Sequence, residues 1–265
     1  MANEMSIAGA DAARTRPIII RNIGPADLKD ALVKGFDDFK YKPSHIPFLI
    51  LIYPILCFFL IRLTAGYAVL PLIFPLVAGY TIIGPMTAVG LYEMSRRREL
   101  GLDVSWRHAF AVVRLPSIRA IAQLSSMLMA LFAAWLLAAL WIYDLTFGSA
   151  VQTSIADFAR QVFTTRAGWA LIVVGCGVGF CFAVVALAVG VVSFPLLVDH
   201  DVDAVTAIQT SVRAIFANPM TMAMWGFVVA GALLIGSLPF FIGLAVVWPV
   251  LGHSTWHLYR KVVEH

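Results

Sequence analysis

The chain has 265 residues, of which 61% are hydrophobic and only 13% are charged, and its mean hydropathy is +0.88. Soluble domains are about 45–50% apolar and about 25% charged, so this composition excludes an ordinary soluble enzyme, a disordered chain and a nucleic-acid-binding module. The net charge of +4 therefore indicates how the chain is oriented rather than a nucleic-acid partner, and the composition predicts a helical integral membrane protein.

The first 25 residues are polar and mixed, and we expect them to form a flexible cytoplasmic arm. The remainder, 26–265, is predicted to be a single transmembrane helical domain. No apolar stretch typical of a cleaved signal peptide occurs before residue 46, so the first apolar run is expected to act as an uncleaved membrane anchor.

Apolar stretches long enough to cross a bilayer, which takes about 20 residues, recur along the rest of the chain. The last of them, 220–252, is too long for one upright span. The sequence Gly-Ser-Leu-Pro at 236–239 favours a tight hairpin there, but one long helix kinked at Pro239 is an alternative that would give five spans. The hairpin gives about six predicted spans: 46–63, 67–92, 118–143, 168–194, 220–236 and 239–258.

Lysine and arginine residues are divided unequally between the two sides that six spans define. Of the 19 such residues, all except Arg62, Arg160 and Arg166 fall on the side that holds both termini. This asymmetry predicts a multi-pass protein of the bacterial inner membrane with both termini in the cytoplasm. Five spans would export Arg260 and Lys261 and weaken the asymmetry.

Each predicted cytoplasmic segment carries an apolar helical stripe that ends before a proline. The stripes are Leu28, Leu32, Phe36 and Phe39; Trp106, Phe110 and Val113; and Val205, Ile208, Val212 and Ile215. This spacing is typical of interfacial amphipathic helices. The expected N-caps are Asp27, Ser105 and Asp203. The predicted fold is thus an all-α transmembrane bundle of about six spans with cytoplasmic amphipathic helices. The unit of one surface helix followed by two spans occurs three times, which suggests an internal repeat. The alternative is that any protein built from hairpins of spans needs such interfacial helices.

Ionisable residues are almost absent from the interiors of the predicted spans. This argues against a proton pump or an ion-coupled carrier with a carboxylate site. The loops contain no nucleophile–base pair, phosphate-binding loop or zinc-ligand spacing. We therefore expect no enzymatic activity and no cofactor.

Two histidines, His253 and His257, are four residues apart and share a helix face, which suits metal or haem ligation. A third ligand would be required, and Glu93 is the acid expected at a similar depth. An interfacial belt of polar and aromatic residues that includes Trp256 explains the same pattern without a metal.

A charged cluster ends the second predicted span, where Glu93 is followed by Arg96, Arg97 and Arg98. These residues are candidates for a contact with a lipid headgroup or a partner, or for a salt-bridged helix end. In the fourth span, Gly175 and Gly179 form a GxxxG pattern that predicts close helix packing, either internal or between two copies of the chain.

Three stretches resemble one protein family: VGLYEMSRRRE at 89–99, VSFPLLVDHDVDAVTAIQTSVRAIFANP at 192–219 and PVLGHSTWHLYRK at 249–261. They are similar to the family of domain of unknown function 2189, a group of bacterial integral membrane proteins. The resemblance runs over roughly 25–262 and implies a helical inner-membrane protein. It implies no activity and no catalytic or binding residues.

Two functions fit these observations best. The first is a non-enzymatic scaffold, accessory or assembly component of a membrane complex, with membrane lipids and another membrane protein or a second copy as partners. The alternative is a transporter or channel for a small or lipid-like solute, and a metal- or haem-binding protein is a more distant one. A cavity within the bundle would favour transport over scaffolding.

Overall fold

The computed structural model describes residues 18–43, 72–148, 154–238 and 241–264. Its described residues form helices and no strands, which confirms the all-α prediction. A 3₁₀ helix occupies Trp106–Arg114. The α-helices are α1 Pro25–Tyr41, α2 Ile73–Thr87, α3 Val89–Glu99, α4 Ile118–Phe147, α5 Ile155–Thr164, α6 Arg166–Gly190, α7 Ser193–Asp199, α8 Ala204–Ala217, α9 Pro219–Ser237 and α10 Leu244–Val262.

Three stretches in the described residues are long and apolar enough to cross a membrane: α4, α9, and α6 continued by α7. A fourth arises if α2 and α3, which bend by 42° at Ala88, are counted as one broken span. These helices overlap the predicted spans at 118–143, 220–236, 168–194 and 67–92. The span predicted at 46–63 lies outside the described residues.

The sixth predicted span overlaps α10, which does not meet the same test of length and apolarity among the described residues. The structure has two separate helices here, α9 and α10, and not the single long kinked helix that was the alternative from the sequence. The two helices meet at Gly236 and Gly243. A Cβ added to Gly243 would lie only 2.7 Å from the carbonyl oxygen of Gly236, so the two main chains are in close contact there. Between them Phe241 has a φ of 63°, a left-handed conformation typical of a turn. Pro239 itself is outside the described residues.

The face of α1 that packs inward differs from its predicted apolar stripe. Its buried residues are Leu28, Ala31, Gly35 and Asp38. Of the predicted stripe, only Leu28 is buried, and Phe36 is 46% exposed. The reason is close packing: a Cβ on Gly35 would lie 2.5 Å from the amide nitrogen of Ser254, so only a glycine lets α1 approach α10 this closely.

The segment before α1 is held in place by the other end of the chain. Ile20 forms an isolated antiparallel bridge with Val263, and the amide of Arg21 donates to the carbonyl of Val262 at 2.7 Å. Residues 19–23 of the predicted arm therefore have hydrogen-bond partners elsewhere in the chain, and the flexibility of the arm stays a prediction. The earlier part of that arm, 1–17, lies outside the described residues.

Asn218, at the joint between α8 and α9, secures the same segment. Its side-chain oxygen accepts from the amide of Ile23 at 2.7 Å, and its side-chain nitrogen donates to the carbonyl of Arg21 at 3.0 Å. Thr221 adds a hydrogen bond to the carbonyl of Ile23. The N-terminal segment, the α8–α9 joint and the C-terminus thus meet at one end of the bundle, here called the polar end.

Local capping follows the sequence prediction at two of three positions. Ser105 caps the 3₁₀ helix by accepting from the amide of Arg107, and Asp203 caps α8 by accepting from the amide of Thr206. Asp27 is not an N-cap: α1 begins after Gly24, and the Asp27 carboxylate accepts from the Gly24 amide at 2.9 Å. Pro25 explains the shift, because proline is favoured in the first turn of a helix.

Replacement of Gly35 by alanine tests the crossing of α1 and α10. The new Cβ would collide with the main chain of Ser254, so we expect Gly35→Ala to lower the free energy of unfolding by about 1–3 kcal/mol. Thermal unfolding in lipid nanodiscs, followed by tryptophan fluorescence, measures the loss. Lys34→Ala is the matched control, since its side chain is half-exposed and makes only a surface pair with Asp30. Equal losses in both variants would contradict the crossing.

Candidate functional site

An apolar cleft of about 280 Å³ lies between α2, α3, α6, α9 and α10. Its walls include Pro85, Phe180, Trp225 and Leu233. None of the described residues that line it carries a formal charge. Ligand pockets are typically about 300–1,000 Å³ and mostly apolar with a few polar groups, so this cleft is near the lower end of the range for a binding site.

Five side chains with a polar group line the cleft among the described residues: Thr81, Tyr92, Trp225, Trp248 and Thr255. Trp248 donates its indole N–H to the hydroxyl of Thr87 at 3.1 Å. The Thr81 hydroxyl donates to the carbonyl of Ala78 at 2.7 Å. The cleft is therefore apolar with a small number of hydroxyl and indole N–H groups.

A buried polar cluster lies at the polar end, centred on the carboxylate of Asp38 in α1. One oxygen accepts from the Ser95 hydroxyl at 2.5 Å and pairs with Nε2 of His257 at 2.9 Å. The other oxygen accepts from Nη1 of Arg98 at 2.5 Å. The carboxylate is only 7% exposed, and its partners come from both α3 and α10. We call these residues, with His253, the Asp38 cluster.

His253 is as deeply buried as Ser95, at 1% exposure. Its Nδ1 lies 2.7 Å from the Ser95 hydroxyl. Because a carboxylate can only accept, the single proton of Ser95 is committed to Asp38, and His253 Nδ1 must be the donor to Ser95. Nε2 is then an acceptor, and it has no hydrogen-bond partner in the structure.

The ionisation of Asp38 follows from its partners. Burial raises the pKa of this carboxyl, but the hydrogen bonds from His257 and Ser95, with the nearby imidazoles, outweigh it and hold the pKa below its usual value. Asp38 is therefore a charged group inside the protein, and its negative charge attracts the Arg98 guanidinium. Arg98 also lies over the ring of Tyr41, 4.7 Å from its centroid.

The charged residues predicted to contact a headgroup or partner are paired within the chain. Glu93 is buried and forms ion pairs with Arg96 at 3.3 Å and with Arg97 at 3.8 Å. Arg96 also lies 3.5 Å from a carboxylate oxygen of Asp199. Because Arg98 is bound to Asp38 and Arg96 lies near Asp199, these charged residues hold α3 against its neighbours. A contact of the same side chains with a headgroup or a partner stays a prediction.

A second network at the polar end joins α10 to α3 and α7. The Arg260 guanidinium reaches Glu99 at 3.1 Å and Asp199 at 3.3 Å. The indole N–H of Trp256 donates to Glu99, and the Tyr259 hydroxyl donates to Asp199 at 2.9 Å. The two networks together fix the last two turns of α10 against its neighbours.

The predicted metal ligands His253 and His257 both approach an acid, but that acid is Asp38 rather than Glu93. Within the described ranges, no group of three histidine, cysteine or acidic side chains is arranged to hold a metal ion. The side chain of His257 is instead paired with Asp38, and that of His253 with Ser95. Metal or haem binding by these histidines stays a prediction without a third ligand.

The two glycines of the predicted GxxxG pattern have different surroundings. A Cβ on Gly179 would lie 2.9 Å from the ring of Trp135 in α4, so this position is an internal contact. Gly175, like Gly177, has nothing within 4 Å of the place where a Cβ would lie. Gly175 and Gly177 are thus the open part of this surface.

Sequence reasoning missed Asp38, Ser95 and Tyr92. Asp38 had a signal, because it follows Ala31 and Gly35 at helical spacing and continues the face of small residues that packs on α10. Ser95 and Tyr92 had none, because single hydroxyl groups in a helix are ordinary. Only the meeting of α1, α3 and α10 gives these residues their partners.

The fold places the chain among polytopic α-helical integral membrane proteins, with several apolar helices and charged networks collected at one end. A model of the family described as "Predicted integral membrane protein (DUF2189)" matches residues 73–199, from α2 through α7. The predicted resemblance to this family is confirmed, although the stretch at 249–261 lies outside the match. No curated protein and no solved structure matches the chain.

Replacement of Asp38 by asparagine should destabilise the protein by about 2–4 kcal/mol, because it leaves the partly buried Arg98 and the His257 ring without their charged partner. Since the folded-state pKa of Asp38 is depressed, its stabilisation is complete above the usual aspartate value of about 4 and is lost as the pH falls through the lower folded-state value. Below about pH 4, the stability of Asp38→Asn should therefore decline less with falling pH than the stability of the wild type does.

Asp37→Asn is the matched control on the same helix. Asp37 pairs with Lys40 at the surface, where both side chains are about half-exposed, and its loss should change stability by less than about 1 kcal/mol. Unfolding in nanodiscs across the acid range measures both variants. Identical acid profiles for wild type and Asp38→Asn would show that the carboxylate is not the group that titrates.

Proposed function

We propose that this integral membrane protein is a non-enzymatic binding protein or carrier for a small apolar, lipid-like molecule. The cleft of about 280 Å³ between five helices is the observation that carries the proposal. Its uncharged lining suits a molecule that enters from the hydrocarbon of the bilayer, since burial of apolar groups against apolar walls needs no charged partner. A carrier of this kind requires no nucleophile and no cofactor.

The bend between α2 and α3 supports a ligand site at this place. Pro85 lines the cleft within α2, and the helix axis turns by 42° three residues later, at Ala88. A proline cannot donate the main-chain hydrogen bond of a regular helix, so it favours such a bend. The bend turns α3 away from the axis of α2 next to the cleft, as broken helices do in many carriers.

A scaffold or accessory role is the second candidate, and the open surface of α6 favours it. Gly175 and Gly177 have no close neighbour, and the large side chains of Val173 and Val174 beside them are exposed. Small residues in a membrane let a second helix approach closely. The surface fits a helix of another membrane protein or of a second copy.

Native mass spectrometry of the protein released gently from its own membrane tests both candidates. A carrier should retain a small molecule, whereas a scaffold should retain a second polypeptide. Gly226→Leu should abolish retention of the small molecule, because residue 226 lines the cleft and a Cβ there already lies 3.3 Å from the Leu187 side chain. Retention is expected to fall at least about tenfold, the equivalent of about 1.4 kcal/mol.

Gly231→Leu is the matched control, on the same helix with nothing within 4 Å of its Cβ position. It should retain the molecule as the wild type does. Thermal unfolding of both variants shows whether each is folded, and Ala230→Phe fills the cleft from another position if Gly226→Leu is not. Equal retention by the two glycine variants would contradict the cleft as the binding site.

We also propose that the protein lies in the bacterial inner membrane with both termini in the cytoplasm. Two observations support this: the bridge between Ile20 and Val263, which holds the two ends of the described chain together, and the concentration of arginine and lysine at the polar end. Fusions of a fluorescent protein to either terminus should fluoresce, and alkaline phosphatase fusions at the same places should be inactive. Opposite results at the two termini would contradict the proposal.

A further inference from the structure

Trp225 in α9 is a buried aromatic residue of the cleft with a polar group that has no partner. Its side chain lines the cleft, and only 1% of its surface is exposed. An indole N–H can donate one hydrogen bond and accept none. The indole of Trp248 donates to the Thr87 hydroxyl, and the buried indole of Trp135 in α4 donates to the carbonyl of Pro75. Among the described residues, no atom accepts a hydrogen bond from Trp225.

The indole nitrogen of Trp225 is a part of this side chain that stays accessible. In the described part of the chain, two side-chain nitrogens are both enclosed by protein and without a hydrogen-bond partner: Nε of Arg96 and Nε2 of His253. The Trp225 nitrogen also has no partner but is not one of these two, so protein atoms do not enclose it. Because the rest of Trp225 is almost completely covered and the residue lines the cleft, its accessible nitrogen faces the space of the cleft. A donor in an apolar cavity favours a ligand that supplies an acceptor.

Helical spacing places Trp225 at one end of an apolar wall of the cleft. Val229 and Leu233 follow at four-residue intervals on the same face of α9, and both line the cleft. One turn before Trp225, the Thr221 hydroxyl donates to the carbonyl of Ile23 and ties α9 to the polar end. Trp225 is therefore the member of this stripe nearest the polar end. The apolar wall extends away from it for about 12 Å, the length of eight residues of helix.

We propose that the cleft binds a neutral lipid with an acceptor oxygen, such as a ketone or an ester, and that Trp225 donates its N–H to this oxygen. The proposal rests on the proposed function, because it assigns the ligand class of the same cleft. The alkyl chain of the ligand extends from Trp225 along Val229 and Leu233. A pure hydrocarbon would leave the N–H without an acceptor. A carboxylate would be buried without an opposite charge, because none of the described lining residues carries one.

Photoaffinity labelling in nanodiscs of a diether phosphatidylcholine tests the proposal, because the chains of that lipid carry no carbonyl group. Three probes share one alkyl chain with a diazirine at one end, and their other end is a methyl group, a methyl ketone or a carboxylate. Labelled residues are identified and quantified by mass spectrometry over a range of probe concentrations. The ketone should bind about 2- to 12-fold more tightly than the hydrocarbon, the range for one neutral hydrogen bond, and the carboxylate should bind most weakly. The diazirine of the ketone should label the wall near Leu233 rather than Trp225.

Trp225→Phe should remove this preference, because phenylalanine keeps an aromatic ring and lacks the N–H. The affinities for the ketone and the hydrocarbon should become equal in this variant. Trp135→Phe is the matched control, since it makes the same change at a buried indole that does not line the cleft and whose N–H is donated to the carbonyl of Pro75. It should keep the wild-type preference for the ketone.

Replacement of Trp225 by benzothienylalanine decides the matter if thermal unfolding shows that Trp225→Phe is not folded. In this analogue a sulfur atom takes the place of the N–H, so the shape of the side chain is kept and the donor is lost. The preference for the ketone should again disappear. Infrared spectroscopy supplies a second readout: the carbonyl stretch of the bound ketone should lie at lower frequency in the wild type than in the analogue, because a hydrogen bond weakens the C=O bond.

The outcomes separate the two proposals. If Gly226→Leu leaves labelling by every probe as it is in the wild type, the cleft is not a binding site and the proposed function fails. If labelling depends on the cleft but the hydrocarbon or the carboxylate binds as tightly as the ketone, the proposed function stands and the assigned ligand class is wrong. A preference for the ketone that persists without the indole N–H would overturn the role of Trp225.

Discussion

The carboxylate of Asp38 is the interaction on which the polar end depends. A buried charge is stable only when its lone pairs are occupied and an opposite charge is near, and Asp38 obtains these from Ser95, Arg98 and His257. Since its partners lie on α3 and α10, one side chain of α1 fixes the relative position of three helices. The close crossing at Gly35 adds the van der Waals contact that brings the carboxylate within reach.

The Asp38 cluster and the cleft are built on the same two helices. On α3, Ser95 follows Tyr92 by three residues, and on α10, His253 precedes Thr255 by two. The hydrogen bonds that fix Ser95 and His253 at the polar end therefore also limit the movement of Tyr92 and Thr255 in the cleft. The polar end and the cleft are thus linked through α3 and α10, so that the charged networks support the walls of the proposed ligand site.

The differences between prediction and structure have physical causes that recur in membrane proteins. Periodicity predicts an apolar stripe on α1, but helices in such proteins pack through small residues, and the face with Ala31 and Gly35 is the buried one. Its expected depth makes Glu93 the predicted acid near the histidines, yet it is paired locally with Arg96 and Arg97. Neither partner choice follows from spacing along one helix.

The sequence by itself determined the membrane class, the positions of the apolar helices in the described residues and the caps at Ser105 and Asp203, because these depend on composition and on neighbours a few residues away. Only the tertiary structure decided that Asp38 meets the two histidines and that five helices together form the walls of the cleft. Both depend on contacts between helices far apart in the chain.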